Sequence, residues 1–307
     1  MARPFSHPYV LLGLTAAFWG ANAVAGKLAV GHVSPMMLTF LRWGLATLVL
    51  LPFAWPKLKA DWPTVRRNWV FLSLLAVCGL SFFNAILYSA LLYTSAVQVT
   101  IVQSAMPVVV FLGMFLFFRI RVQAVQVIGF AITALGVTVA ASRGDLGALL
   151  GLELNRGDAM MVGAVILYGG FTVALGFKPK LHWMTLILVM AFVAFVTSIP
   201  LVGIEMAAGA SLAPDARGWA VVAFTAILPS IAAQVFYIRG IEMIGANRAN
   251  LFINLVPIFG AILAVLVLRE PLLPYHLVAL ALVLGGILMA EKAKRSGIPR
   301  TASEGRP

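Results

Sequence analysis

Residues 106–120 read MPVVVFLGMFLFFRI, and residues 256–270 read VPIFGAILAVLVLRE. Each is an apolar run opened by a proline and closed by an arginine. Pro107 precedes Arg119 by the same interval that separates Pro257 from Arg269, and the two stretches lie half the chain apart. The correspondence continues outward. Trp19-Gly20 matches Tyr168-Gly169, Pro52 matches Pro200, and Tyr88 matches Tyr237. Gly136 and Gly286 follow their respective arginines by the same interval. A constant offset of about half the length is the signature of an internal duplication.

The apolar runs are numerous. The chain has 307 residues, 62% of them hydrophobic and only 10% charged. A soluble domain carries about 25% charged residues, so most of this surface faces something other than water. A helix needs about 20 apolar residues, each rising ~1.5 Å, to cross a hydrocarbon core of ~30 Å. The runs 9–30, 35–54, 69–92, 95–118, 124–142, 157–177, 183–206, 217–239, 245–268 and 274–291 meet that requirement. Alternating apolar and polar runs of barrel type are absent from the sequence. The expected fold is therefore an all-α integral membrane protein with ten transmembrane helices. Five spans per half is an odd number, so the second half enters the bilayer from the opposite side. The repeats are inverted by counting alone, which predicts a central cavity at their interface and alternation between two accessible states. The expected division is 1–147 for the first repeat, 148–295 for the second and 296–307 for a basic cytoplasmic tail.

The formal net charge of +12 does not indicate nucleic acid, because the basic residues sit in short segments between apolar spans. Lys57, Lys59, Arg66 and Arg67 follow span two, and Lys292, Lys294 and Arg295 follow span ten. Arg143, Arg156, Arg217 and Arg269 lie on the other side. This imbalance follows the positive-inside rule, with both termini cytoplasmic. The first apolar run is too long for a cleavable signal and is not followed by a small-residue cleavage site. One cysteine, Cys78, permits neither an intrachain disulfide nor a cysteine metal site.

Polar side chains recur inside the spans at helical spacing. Thr15, Trp19, Asn22 and Gly26 share a face in span one; Ser81, Asn84 and Tyr88 do so in span three. Span four carries Thr100, Gln103 and Ser104, span six Tyr168 and Thr172, span eight Ser230, Gln234 and Tyr237, and span nine Asn247, Asn250 and Asn254. Such groups turn away from lipid, toward protein or water. A single Ser or Thr serves helix packing, and an intramembrane amide can bridge helices instead of binding a ligand. Together the stripes predict a chamber whose substrate-binding residues are Trp19, Asn22, Asn84, Tyr88, Gln103, Tyr168, Gln234, Tyr237, Asn250 and Asn254. Pro107 and Pro257 each free a backbone carbonyl in mid-span, and are expected to act as hinges.

The ten acids all lie in loops, tails or span ends, which predicts a facilitator, or coupling that needs no titrating carboxylate at the midplane. Arg42 lies about 10 Å into span two and is expected to anchor an outer-loop carbonyl or Glu205, with anion binding as the alternative. Lys27 is expected to snorkel to the interface. The histidines, His7, His32, His182 and His276, occur at span ends or in tails, and no G-x-S-x-G, H-E-x-x-H or phosphate-cradling loop occurs. An enzyme, a cofactor and a metal are not expected.

Several of these elements resemble the EamA-type branch of the drug/metabolite transporter superfamily. They are Trp19-Gly20-Ala21-Asn22, Arg42 in span two, Thr94-Ser95-Ala96 ahead of Pro107, and Pro257 followed by Leu268-Arg269-Glu270. One departure is Arg119-Ile120-Arg121, where that family often carries glutamate. The resemblance implies a ten-helix basket with a central chamber. It is greatest to bacterial exporters of aromatic and other neutral amino acids, and implies export from the cytoplasm. The implied partners are the lipid bilayer and a small neutral or aromatic amino acid, with another metabolite or drug as the alternative; a monomer suffices. A nucleotide-sugar exchanger would need more basic residues in the chamber than Arg42 and Lys27.

Overall fold

The computed structural model describes residues 7–118, 123–145, 155–244 and 249–296. Among them every regular element is helical. Eight helices are long and apolar enough to cross a membrane: α1 (Pro8–Ala29), α2 (Pro35–Arg67), α3 (Trp69–Ala90), α4 (Ala96–Phe117), α5 (Ala124–Ala141), α6 (Arg156–Phe177), α7 (Trp183–Ala207) and α8 (Ala216–Ile244). Two shorter apolar helices follow, α9 (Phe252–Leu268) and α10 (Pro274–Ala290). The proposed boundary between the halves, at residues 147 and 148, lies outside the described residues.

The packing is reciprocal between the halves. The pairs α2–α7, α4–α9 and α5–α10 join corresponding helices. Helix α1 packs on α9 and α8, while α6 packs on α4 and α3. Helix α8 also touches α2, as α3 touches α7. These pairs map onto one another when first-half helices are exchanged for their second-half counterparts, whereas the contacts of α1 with α3 and α4, and of α4 with α10, have no counterpart as extensive.

Small residues set the closest approaches. A Cβ on Gly20 of α1 would lie 2.6 Å from the Gly260 amide nitrogen of α9, and a Cβ on Gly286 of α10 would lie 2.3 Å from the Gly129 carbonyl oxygen of α5. Backbones meet there with no room for a side chain, which is how apolar helices gain dispersion contact in lipid.

Two boundaries differ from expectation. Span two was expected to end at 54, but α2 continues to Arg67 through Pro52, Pro56 and Pro63. Each proline removes one backbone bond, yet this extension is mostly exposed, and α7 packs along α2. Asp61, on the extension, accepts a hydrogen bond from the His182 amide at the start of α7 (2.9 Å). Helix α8 likewise runs from Ala216 to Ile244 rather than from 217 to 239.

Carboxylates close the helix starts at the end of the bundle holding the α1–α2 and α3–α4 turns. Glu205, near the end of α7, accepts hydrogen bonds from Ser34 Oγ (2.5 Å) and from the Met36 and Met37 amides (3.1 and 3.2 Å). Glu270, just past α9, accepts from the Ala96 and Val97 amides, each at 2.9 Å. These bonds satisfy amides that a helix start leaves unpaired and set negative charge at the positive pole. Lys27, half-buried near the end of α1, reaches the α3–α4 turn. Its Nζ donates to the Leu91 and Thr94 carbonyls, each at 2.7 Å, because those carbonyls end α3 within its reach.

At the same end Asp215 accepts from Gly218 N (2.8 Å) and lies 2.7 Å from His32 Nδ1. The His32 hydrogen bond, then the Gly218 amide, hold the Asp215 carboxyl below its ordinary value. A depressed carboxylate contributes stability above its unfolded pKa and loses it as pH falls through the folded pKa. The destabilisation caused by Asp215→Ala is therefore expected to be largest near neutral pH and to shrink in acid below the ordinary carboxylate range, read as the melting difference between variant and parent at each pH.

Candidate functional site

The bonded centre of the molecule is Arg42. Helix α2 carries it among apolar neighbours and buries it to 5% exposure. Its Nε donates to Ser230 Oγ at 2.7 Å. Its Nη1 is within bonding distance of Asn22 Oδ1 (2.9 Å), Asn84 Oδ1 (2.8 Å) and the Tyr88 hydroxyl. Four helices, α1, α2, α3 and α8, thus meet on one guanidinium, which bridges the two halves through Ser230.

The acceptors are fixed in turn. Tyr88 OH donates to Asn22 Oδ1 (3.0 Å), Asn84 Nδ2 to the Leu80 carbonyl (2.6 Å), and Ser230 Oγ to the Thr225 carbonyl (2.8 Å). Leu80 and Ser230 lie in two π-helical segments, Val77–Phe82 of α3 and Leu228–Ala232 of α8. These segments occupy corresponding places in the halves. In α8 the cause is visible: Pro229 cannot donate to the ladder. In α3 the segment contains Gly79, whose missing Cβ admits the Phe171 ring of α6. Interrupted turns of this type supply unconventional backbone geometry at depth.

Aromatic rings form two groups. Trp19 of α1 packs on Tyr237 of α8 with centroids 5.4 Å apart, and Trp19 Nε1 donates to the Pro229 carbonyl at 3.2 Å. Tyr168 of α6 packs on Phe83 of α3 at 4.7 Å and on Phe171 at 5.1 Å. Trp43 lies beside the Arg42 guanidinium, 5.0 Å from ring centroid to Cζ.

Of the residues expected to bind substrate, the structure joins Asn22, Asn84 and Tyr88 directly through Arg42, and sets Trp19 and Tyr237 against each other. Tyr168 belongs to the aromatic group at Phe83. Gln103 and Gln234 are half-buried and make no side-chain hydrogen bond among the described residues. Asn254 is half-buried in the 3-10 turn Asn250–Leu255. The Asn250 side chain and Asn247 lie outside the described set. Pro107 follows a break in the helix at Ser104–Ala105, and Pro257 follows the 3-10 turn. Both irregularities lie on the N-terminal side of the proline, where its ring displaces the preceding carbonyls.

The expected partner of Arg42 is corrected. Glu205 is committed to the start of α2, and Arg42 reaches no loop carbonyl among the described residues. Its length and planar fork suit the nearer amides and hydroxyls. Sequence reasoning located the asparagines and the tyrosine from their helical spacing and singled out Arg42 separately, but did not join them. An arginine well inside an apolar span was the available signal. Phe83, too, was missed, being indistinguishable from a lipid-facing phenylalanine in sequence.

A multi-helix apolar bundle with a cross-bridged polar centre has the architecture of a multi-pass membrane protein. The chain belongs to the EamA-like transporter family, whose family model matches residues 7–142 and 155–291. It is similar to the uncharacterized transporter YyaM of Bacillus subtilis (strain 168), 26% identical over 291 residues that cover 92% of each chain. It is also similar to the uncharacterized transporter YetK of the same organism, 24% identical over 96% of this chain and 90% of YetK. An uncharacterized transporter of Archaeoglobus fulgidus is 25% identical over 93% of this chain and 99% of its own. Among solved structures, a crystal structure of a protein 20% identical shares the fold, with a TM-score of 0.62 over 94% of this chain and 98% of that one.

Proposed function

We propose that this transporter exports aromatic and other neutral amino acids by alternating access, through ten spans arranged as two inverted repeats, with both termini in the cytoplasm. The observation that carries this reading is the setting of Arg42. A hydrogen-bonded polar group lies beside the aromatic pairs Trp19–Tyr237 and Phe83–Tyr168. A zwitterion requires dipoles and hydrogen-bonding groups at one end and an apolar wall at the other. The substrate-facing set is Trp19, Asn22, Asn84, Tyr88, Gln103, Tyr168, Gln234, Tyr237, Asn250 and Asn254, and Pro107 and Pro257 are the hinges of the rocking motion. The same composition would serve another small amphipathic metabolite or drug, the second reading.

The test is uptake and counterflow of a labelled amino-acid panel in liposomes containing the purified protein. Phenylalanine and related neutral amino acids are expected to move with saturation. Trapping of other metabolites without any amino acid would favour the second reading. Gln234→Ala is expected to lower transport about 10-fold, the loss of roughly one hydrogen bond to substrate, while leaving membrane insertion and the elution profile intact. Normal transport by this variant and by Asn22→Ala would remove the proposed chamber.

A further inference from the structure

Among the described residues no carboxylate bonds the Arg42 guanidinium. Asp215 and Glu242 are engaged by His32 and Arg239. Glu205 and Glu270 are engaged at helix starts, and Asp158 accepts from Thr94 Oγ1 and Gln98 Nε2. Every group bonded to Arg42 is neutral: Asn22, Asn84, Tyr88 and Ser230. A buried lysine could shed its proton in such a setting; arginine does not. Full charge at 5% exposure in an apolar bundle is costly unless an anion joins it.

The unused donors indicate where that anion sits. Arg42 bonds through Nε and Nη1, leaving Nη2 without a partner among the described residues. Asn22 spends Oδ1 on Arg42 and Tyr88, leaving Nδ2 without one. Neither nitrogen belongs to the sealed, unpartnered polar atoms, which include Trp43 Nε1 and Gln98 Oε1. Both can donate further, and the acceptors beside them, Asn22 Oδ1, Asn84 Oδ1 and the Tyr88 hydroxyl, are already engaged.

We infer that Arg42 Nη2 and Asn22 Nδ2 form the receptor for a substrate carboxylate, making this a carrier of monocarboxylate-bearing molecules. Ser230 holds the guanidinium in position, and Asn84 and Tyr88 do so as well as lining the chamber. In the amino-acid reading, on which this assignment of the carboxylate end rests, the substrate's own charge completes the site. The empty site is then electrostatically incomplete, and the bound one is paired.

The test uses the full-length protein in detergent, free of carboxylate buffers, and reads ligand-induced thermal stabilisation. Two matched series are compared, one built on phenylalanine and one on leucine. Each contains the amino acid, its amide, the decarboxylated amine and the deaminated acid. The amino acid or the deaminated acid is expected to stabilise the protein, and the amide and amine to do so only at concentrations about 10- to 100-fold higher, the worth of a charge-assisted hydrogen bond. Arg42→Gln is expected to abolish this preference and Arg42→Lys to restore part of it. Equal response to the amide or amine, or no response to any carboxylate, overturns the proposal, and the wild-type series decides even where Arg42→Gln does not fold. Stabilisation by the deaminated acid but not by the amino acid would retain the anion receptor and discard the amino-acid reading.

Discussion

Gly286→Val is expected to yield little or no folded protein, whereas Gly285→Val, one position earlier on α10, is expected to be tolerated. A Cβ at 286 would lie 2.3 Å from the Gly129 carbonyl oxygen and 2.8 Å from the Thr133 amide nitrogen, while one at 285 meets nothing within 4 Å. Besides the Thr133 hydroxyl, these obstructing atoms at 286 are backbone, so no rotamer relieves them. Overpacking costs about 1–3 kcal/mol where side chains can give way; here α5 and α10 must part, and contacts along the pair are lost with them. Gly129→Val is expected to behave like Gly286→Val, since its Cβ would meet the Gly286 carbonyl oxygen at 2.5 Å. Fluorescence-monitored size exclusion of tagged variants reads the outcome. A monodisperse Gly286→Val peak at parental level would mean that the two helices do not approach as closely as described.

Glu270→Ala is expected to destabilise the protein by about 3 kcal/mol, a fall of roughly 10 °C in Tm. Two charge-assisted bonds, to the Ala96 and Val97 amides, are lost together with the favourable charge at the start of α4. The same turn is held from its other pole by Lys27 on the Leu91 and Thr94 carbonyls. Glu270→Gln, which keeps one acceptor, is expected to fall between variant and parent. Glu242→Ala is the control: its bond to Arg239 joins half-exposed side chains one helical turn apart, where pairs are worth about 0–1 kcal/mol. A thermal melt in detergent separates these cases, and equal effects at 242 and 270 would refute the helix-start role.

Apolar length and the half-chain offset made the helices and their correspondence legible in the sequence. The rotation of one helix against another was not. Periodicity placed Asn22 on one face of α1, and Asn84 with Tyr88 on one face of α3, but not the arginine of α2 that those faces share. The Thr94-Ser95-Ala96 element and Glu270 were both conspicuous as separate features; the folded chain makes them bonded neighbours. The apolar run of span two stops at 54, but α2 continues to Arg67 through Pro52, Pro56 and Pro63. The helix survives them because its exposed extension forgoes few packed contacts and because Asp61 meets the start of α7. The π segments had weaker signals still, a glycine in one helix and a proline in the other.

Those two segments have a mechanical meaning. A π turn contains a surplus residue relative to an α-helix. Absorbing it into regular α-helix would advance everything beyond it by one position, a twist of about 100° and a travel of about 1.5 Å. Asn84 and Tyr88 lie just past one such reserve, and Gln234 and Tyr237 just past the other. A small slip of backbone at either place would therefore re-aim a whole polar face, giving the chain matched dials, one in each half.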